Sequence, residues 1–287
     1  MALLQPRLTR DGSFSLYSCR FGEGFHSLGG ALGEARSKFV LPASLHRFAS
    51  GRELRVVEVC VGTGTNTAAL LEACGVRELG LDWWGLELDP EPWQLARSSE
   101  AFRSQWSDAV LQELALLLEG PRLLWGDGRR RLADLPATLQ GRCDLVLLDA
   151  FSPQRCPQLW TLEFLGSLAA LLAPEGRLLT YCSAAAVRRA LQRCGMELAT
   201  IQAESAATGW SQGTAASPRP LPEEASLRPL GPMELEHLRC RAAEPYRDPE
   251  GNASAADIHA ARERAQASSG AESSGAWRRR WGVAGCR

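Results

Sequence analysis

The sequence predicts an α/β protein with a doubly wound, mainly parallel sheet, and three observations carry that prediction. Apolar runs of strand length alternate with stretches of helix length between about residues 55 and 202. The first run, Val56-Val57-Glu58-Val59-Cys60-Val61, flows into a glycine turn, Gly62-Thr63-Gly64, and then into helix-forming sequence. The run over residues 143–148 is almost continuously apolar, as a strand covered on both faces requires.

The elements follow in order. Residues 13–18 alternate, and Gly22 and Gly24 come after them, which predicts a short antiparallel hairpin ahead of the main sheet. Residues 31–41 read as a short helix carrying Glu34, Arg36 and Lys38. Strands are expected over residues 55–61, 83–88, 122–125, 143–148, 177–181 and 197–202. The intervening helices fall over residues 65–74, 91–118 (as one or two helices), 129–135, 162–172 and 184–194. Pro174 and Gly176 stop the fourth of these, and Gly195 stops the fifth. Composition shifts to Ser, Ala, Gly and Pro from residue 205 to 232, one more helix fits residues 232–242, and residues 268–275 are low in complexity and read as mobile. The expected organisation is an extension over residues 1–50, a main domain over 51–216 and a partly helical, partly flexible tail over 217–287.

Composition excludes several classes. The 287 residues are 45% hydrophobic and 23% charged, ordinary for a globular protein, with no apolar run of membrane length. The start, Met1-Ala2-Leu3-Leu4-Gln5-Pro6, has no charged region followed by a long apolar one, so no secretory signal is expected. Nine scattered cysteines lack any C-x-x-C pair, which argues for reduced thiols, a cytoplasmic setting and no metal site. A net charge of −1 means that any nucleic-acid footprint is local. The cations are almost all arginine, with Lys38 the single lysine.

In such a sheet a ligand binds beyond the carboxyl ends of the strands, where strand order reverses. The residues after each strand therefore matter most. Glu58 and the Gly62/Gly64 turn follow the first, with a helix N-terminus facing the turn. Position 67 is threonine, so the dinucleotide fingerprint G-x-G-x-x-G fails. Glu87, 23 positions beyond Gly64, is placed to accept from both hydroxyls of a ribose. Asp127, in Gly126-Asp127-Gly128, is placed to accept from an adenine amino group, and Asp149 follows the 143–148 strand. Each acid alone reads equally well as a cap or solvated turn. Four of them at successive strand ends make a negative rim, suited to a cationic cofactor and poorly suited to a pyrophosphate.

The pattern E-x-x-x-G-x-G over residues 58–64 resembles motif I of class I, Rossmann-like S-adenosylmethionine-dependent methyltransferases. That resemblance implies S-adenosyl-L-methionine as cofactor, with Glu58 facing its methionine end and Gly62, Thr63, Gly64, Asn66, Glu87, Asp127 and Asp149 around it. A longer series of motifs is more specific. Gly62-Thr-Gly-Thr-Asn66, Asp149-Ala-Phe-Ser-Pro153, Cys156-Pro-Gln-Leu-Trp160, Leu172-Ala-Pro-Glu-Gly176, Thr180-Tyr181 and Ala186-Val-Arg-Arg189 follow in order. Asp11-Gly-Ser, Leu16-Tyr17-Ser18, Phe21-Gly22-Glu23 and Ala35-Arg36 precede them. Together these are similar to the methyltransferase half of the bifunctional tRNA 5-methylaminomethyl-2-thiouridine biosynthesis proteins. The resemblance covers about residues 10–200. It implies methyl transfer to the 5-aminomethyl group of the tRNA wobble uridine, in the anticodon loop.

Three departures qualify it. No FAD domain is expected in the remaining length, so a separate oxidase or modification enzyme would supply the aminomethyl substrate. The family's lysine and asparagine before Pro-x-Met/Leu-Trp are Arg155 and Cys156. Its basic stretch after the sixth strand is replaced by Gly209-Trp-Ser-Gln-Gly-Thr214.

For the chemistry, Asp149 is the candidate to orient the amine and receive its proton, with Phe151, Trp160 and Tyr181 as pocket walls. For RNA, the candidates are Arg155, Arg188 and Arg189, then Arg129–Arg131 and Trp277-Arg-Arg-Arg-Trp281, although an arginine run is more often a solvated surface. Two other functions share these features. One is an aminopropyltransferase resembling spermidine synthase, which has the same sheet and acids. The other is a non-catalytic RNA-binding module that keeps only the fold.

Overall fold

A computed structural model describes residues 3–202 and 212–282 of the chain. Residues 209–211 of the stretch that replaces the basic segment lie outside these. The N-terminal extension is a three-stranded antiparallel sheet of β1 (Leu4–Leu8), β2 (Phe14–Ser18) and β3 (Glu23–Gly24). β1 was not expected from the sequence, and it carries a proline, Pro6. It is tolerated at the sheet edge, where a missing N–H breaks no ladder. Next come α1 (Ala31–Ala35), a π-helical turn over Arg36–Val40 and α2 (Leu41–Ala43), where one helix was expected.

The main sheet has eight strands. β4 (Glu53–Val59), α3 (Thr65–Val76) and β5 (Gly80–Glu87) form the first crossover unit. Three helices follow, α4 (Glu91–Ser98), α5 (Glu100–Arg103) and α6 (Asp108–Leu118), the last capped by Ser107. Then come β6 (Leu123–Trp125), α7 (Gly128–Arg131), β7 (Cys143–Leu148), α8 (Leu162–Ala169), β8 (Leu172–Thr180), α9 (Ala185–Arg193) and β9 (Glu197–Ile201). β4, β5, β6, β7 and β8 are mutually parallel, and β4 lies between β7 and β5, so strand order reverses beside it. β8 starts five residues before the expected strand, through Pro174, with a register shift against β7.

The largest departure is β10 (Gly213–Ser217), in a stretch whose composition reads as loop. It pairs antiparallel with both β8 and β9, and all five of its residues are buried. A Cβ on Gly213 would sit 2.4 Å from the Thr180 carbonyl oxygen, so the crowding at this position admits only glycine. β11 (Leu227–Pro229) then adds an antiparallel edge to β9. α10 (Pro232–His237), α11 (Ala255–Ser268) and α12 (Ser274–Trp281) complete the described chain.

Alternation along the strands builds two cores. Leu54, Val56, Leu145 and Leu147 pack on one face with α3 and Trp83. Val57, Val59, Val146 and Leu148 pack on the other with α8 and α9. Burying the sheet on both faces leaves the carboxyl ends of its strands as the open end.

Candidate functional site

A cavity of about 500 Å³ lies at those ends, a size ordinary for a cofactor or small-molecule site. The glycine turn forms its floor. Gly62 and Gly64 have φ of +58° and +79°, the left-handed region in which glycine is unstrained. Gly62 lies against the Phe25 ring, 3.2 Å from where a Cβ would stand. Gly64 was expected to be glycine so that a ligand could approach. The structure corrects this: its missing Cβ would lie 2.8 Å from Leu118, so it makes room for α6.

The four strand-end acids occupy different environments. Glu87 lines the cavity, and its two oxygens accept from the Gly62 N–H at 2.7 Å and the Leu88 N–H at 2.6 Å. Burial raises its pKa against the pull of those amides. Asp149 lines the cavity too and accepts from Asn66 Nδ2 at 2.7 Å. Burial, with Glu34 nearby, pushes its pKa up to about 7. Asp127 borders an adjoining recess shared with Glu87. Burial acts to raise its pKa, but the Arg129 side chain and N–H outweigh it and hold it low.

Glu58 is the correction among the acids. It does not face the cavity: it is wholly buried behind the turn, accepting from Thr67 Oγ1 at 2.7 Å and Trp83 Nε1 at 3.0 Å. Burial without a cation pushes its pKa up to about 7. Alternation explains its direction, since Val57 and Val59 on either side point to the opposite core.

The N-terminal sheet covers the cavity. Phe21 stacks on Phe151 at 4.5 Å between ring centres, and Phe25 meets the same ring edge-on at 5.1 Å. Glu23 accepts from the Ser152 N–H at 3.0 Å and its hydroxyl at 2.9 Å, tying β3 to the loop after β7. Lys38, ion-paired with Glu34, lies over the Tyr181 ring at 5.6 Å. Sequence reasoning assigned Phe21, Phe25, Glu34 and Lys38 no role. Of these, only Phe21 lay within a matched motif, Phe21-Gly22-Glu23.

Of the expected walls, Phe151 and Tyr181 line the cavity, and the Tyr181 hydroxyl donates to the Ala150 carbonyl at 2.8 Å. Trp160 does not: it is fully buried behind them, donating to the Phe151 carbonyl at 2.8 Å. Thr63 and Asn66 line the cavity.

The arginines divide sharply. Arg155 and Arg189 are exposed. Arg188 is buried, with its guanidinium on Glu234 at 2.8 Å and on Thr214 at 2.9 Å, so it faces the interior and presents no cation to a phosphate. Arg129 bridges Asp127 and Asp248 at 2.6 and 2.7 Å. In the tail, Trp277 is core, stacked on His237 at 4.0 Å, and Arg280 pairs with Glu236 and Glu272. Arg278 and Arg279 are exposed, as are Arg130 and Arg131 in α7, so these keep the outward placement of Arg155 and Arg189 that an RNA contact needs.

Known proteins bear on this arrangement. The model of a family of S-adenosyl-L-methionine-dependent methyltransferases matches residues 94–217. The tRNA 5-methylaminomethyl-2-thiouridine biosynthesis bifunctional protein MnmC of Azoarcus sp. is 32% identical over 201 residues, 63% of this chain and 31% of that protein. The chain thus spans about a third of the length of the curated relatives it matches. The crystal structure of MNMC2 from Aquifex aeolicus superposes with a TM-score of 0.73 at 27% identity, covering 91% of this chain and 84% of that one. A probable spermidine synthase from Corynebacterium glutamicum, at 15% identity and a TM-score of 0.50 over 99% of this chain and 92% of its own, shares the fold alone. The chain is therefore a relative of the methyltransferase part of the tRNA 5-methylaminomethyl-2-thiouridine biosynthesis proteins, built on the S-adenosyl-L-methionine-dependent methyltransferase fold.

Proposed function

We propose that this protein transfers a methyl group from S-adenosyl-L-methionine to the 5-aminomethyl nitrogen of a tRNA wobble 2-thiouridine. The observation that carries the reading is the convergence of Asp149, Asn66 and the Phe151 wall with the Gly62 turn in one cavity. The residues fit the cofactor. The turn lines the cavity at Gly62 and Thr63, Glu87 offers its remaining lone pairs to ribose hydroxyls, and the acids suit a sulfonium. Glu58 acts from behind by fixing Thr67 and Trp83. When bound, S-adenosyl-L-methionine supplies an already activated methyl group.

The chain's own residues supply position and a proton acceptor. The acceptor amine attacks as the neutral base and sheds a proton on becoming the methylated product, and a carboxylate whose pKa lies at about 7 suits receiving it near neutral pH. Phe21, Phe25 and Phe151 exclude water and offer faces on which an unstacked base can lie. Arg155 and Arg189 serve as phosphate contacts at the rim, with Arg278 and Arg279 further out. A separate oxidase or modification enzyme supplies the aminomethyl group in this reading, and the work takes place in the cytoplasm. Among the described residues no helix is long and apolar enough to cross a membrane.

The test is mass spectrometry of nucleosides from tRNA carrying 5-aminomethyl-2-thiouridine, incubated with the protein and S-adenosyl-L-methionine. A gain of one methyl group on that nucleoside is expected. Transfer only from the decarboxylated cofactor would instead make the chain an aminopropyltransferase, and no cofactor binding would leave an RNA-binding module.

A further inference from the structure

We propose that Asn66 and Asp149 together limit the acceptor nitrogen to a single methylation. This rests on the reading above and assigns Asn66 a positioning role toward the acceptor in place of a cofactor contact.

Asn66 stands on the first turn of α3 and Asp149 follows β7, and both line the cavity. The amide donates from Nδ2 to Asp149 Oδ2 at 2.7 Å. A carboxylate only accepts, so the amide must turn its NH2 that way and its carbonyl away. Asn66 Oδ1 is then buried, with no hydrogen-bond partner among the described residues. Buried carbonyls rarely stay unmatched, and here the side chain belongs to a binding cavity. A donor on the ligand is what this oxygen lacks.

A neutral primary amine supplies it. It carries two N–H groups and one lone pair. One N–H donates to Asp149 and the other to Asn66 Oδ1, which leaves the lone pair directed at the methyl donor. As the nitrogen lone pair forms the new N–C bond, the methyl–sulfur bond breaks and its electrons return to sulfur. The nitrogen becomes cationic and gives one proton to Asp149, leaving a neutral secondary amine and a thioether.

That secondary amine has one N–H, one methyl group and one lone pair. To present its lone pair again, it must place the methyl against one of the two oxygens. That oxygen loses its donor in a water-excluded site. A lost hydrogen bond of this kind corresponds to a second transfer slower by about 10- to 100-fold.

Two measurements test this. The first compares binding, without cofactor, of anticodon stem-loops bearing 5-aminomethyl and 5-dimethylaminomethyl uridine. The wild-type protein should prefer the primary amine by at least about 10-fold, and Asn66→Ala should bind the two alike. The second is the ratio of di- to monomethylated nucleoside at matched turnover, which should rise by about 10- to 100-fold in Asn66→Ala. Thermal melts establish that the variant is folded, and Asn66→Ser serves in its place if it is not. An unchanged preference together with an unchanged ratio in the folded variant overturns the inference while leaving the methyltransferase reading intact. A wild-type protein that binds S-adenosyl-L-methionine but methylates no aminomethyl nucleoside overturns the reading itself.

Discussion

Replacing Asp149 with asparagine should stabilise the protein and disable it. The side chain keeps its size and an oxygen to accept from Asn66 Nδ2, now at 2.7 Å. What it loses is a charge held in a place that disfavours it. Burial dominates, Glu34 and Glu58 add repulsion, and Lys38 and the Asn66 bond offset only part, so the pKa rises from 3.8 to about 7. The folded protein therefore holds this proton over a window in which the unfolded chain has released it. Stability from this group is full below about pH 4, falls as pH rises through that window, and is lowest above about pH 7. The rise corresponds to about 4 kcal/mol, an upper bound because the residue is not wholly shielded. Urea unfolding of both proteins between pH 4 and 8 reads it directly. The stability of Asp149→Asn relative to wild type should climb across that range and level off near pH 8. Turnover at pH 8 should fall by roughly 10²-fold or more, with cofactor affinity changed far less. A stability difference that stays flat with pH would refute the argument, because an ordinary, solvated carboxylate would then occupy the position. A variant with near-normal turnover would remove Asp149 from the chemistry even if the stability trend held.

Other expectations follow from contacts in the fold. Gly64→Val should lower stability by about 1–3 kcal/mol in urea titrations, since φ is +79° and Leu118 already occupies the space; its loss of cofactor binding should track unfolding. Glu234→Gln should lower stability by up to about 3–5 kcal/mol in urea titrations, because it removes the carboxylate that pairs with both Arg188 and Arg228. The Glu234 carboxyl is held at about 2 in spite of burial because Arg228 and Arg188 face it. Its contribution is therefore present above about pH 4.5 and lost as pH falls toward 2, which acid titration of folding can follow. Truncation after residue 270 should lower the melting temperature, because it removes the buried Trp277; a truncated chain as stable as wild type would return the cluster to the surface.

The sequence by itself determined the sheet, the glycine turn and the placement of Glu87, Asp127 and Asp149 at strand ends. These are local matters: a strand reads from its apolar run, a left-handed turn from its glycines, and a strand-end residue from its neighbours. Side-chain direction was half legible, since alternation along β4 already turns Glu58 away from Val57 and Val59. What only the tertiary structure decided depends on groups far apart in the chain. β10, Gly-Thr-Ala-Ala-Ser, carries no apolar strand signal of its own and is a strand because it pairs with β8 and β9 on either side. Arg188 looks like a surface cation until Glu234, 46 residues away, takes it into the interior. The lid over the cavity exists because Glu23 reaches Ser152 across 129 residues and brings two phenylalanine rings onto Phe151. Local pattern reports what a segment prefers. Which charge is neutralised, which ring is covered and which oxygen is left without a donor depend on what the folded chain brings beside it.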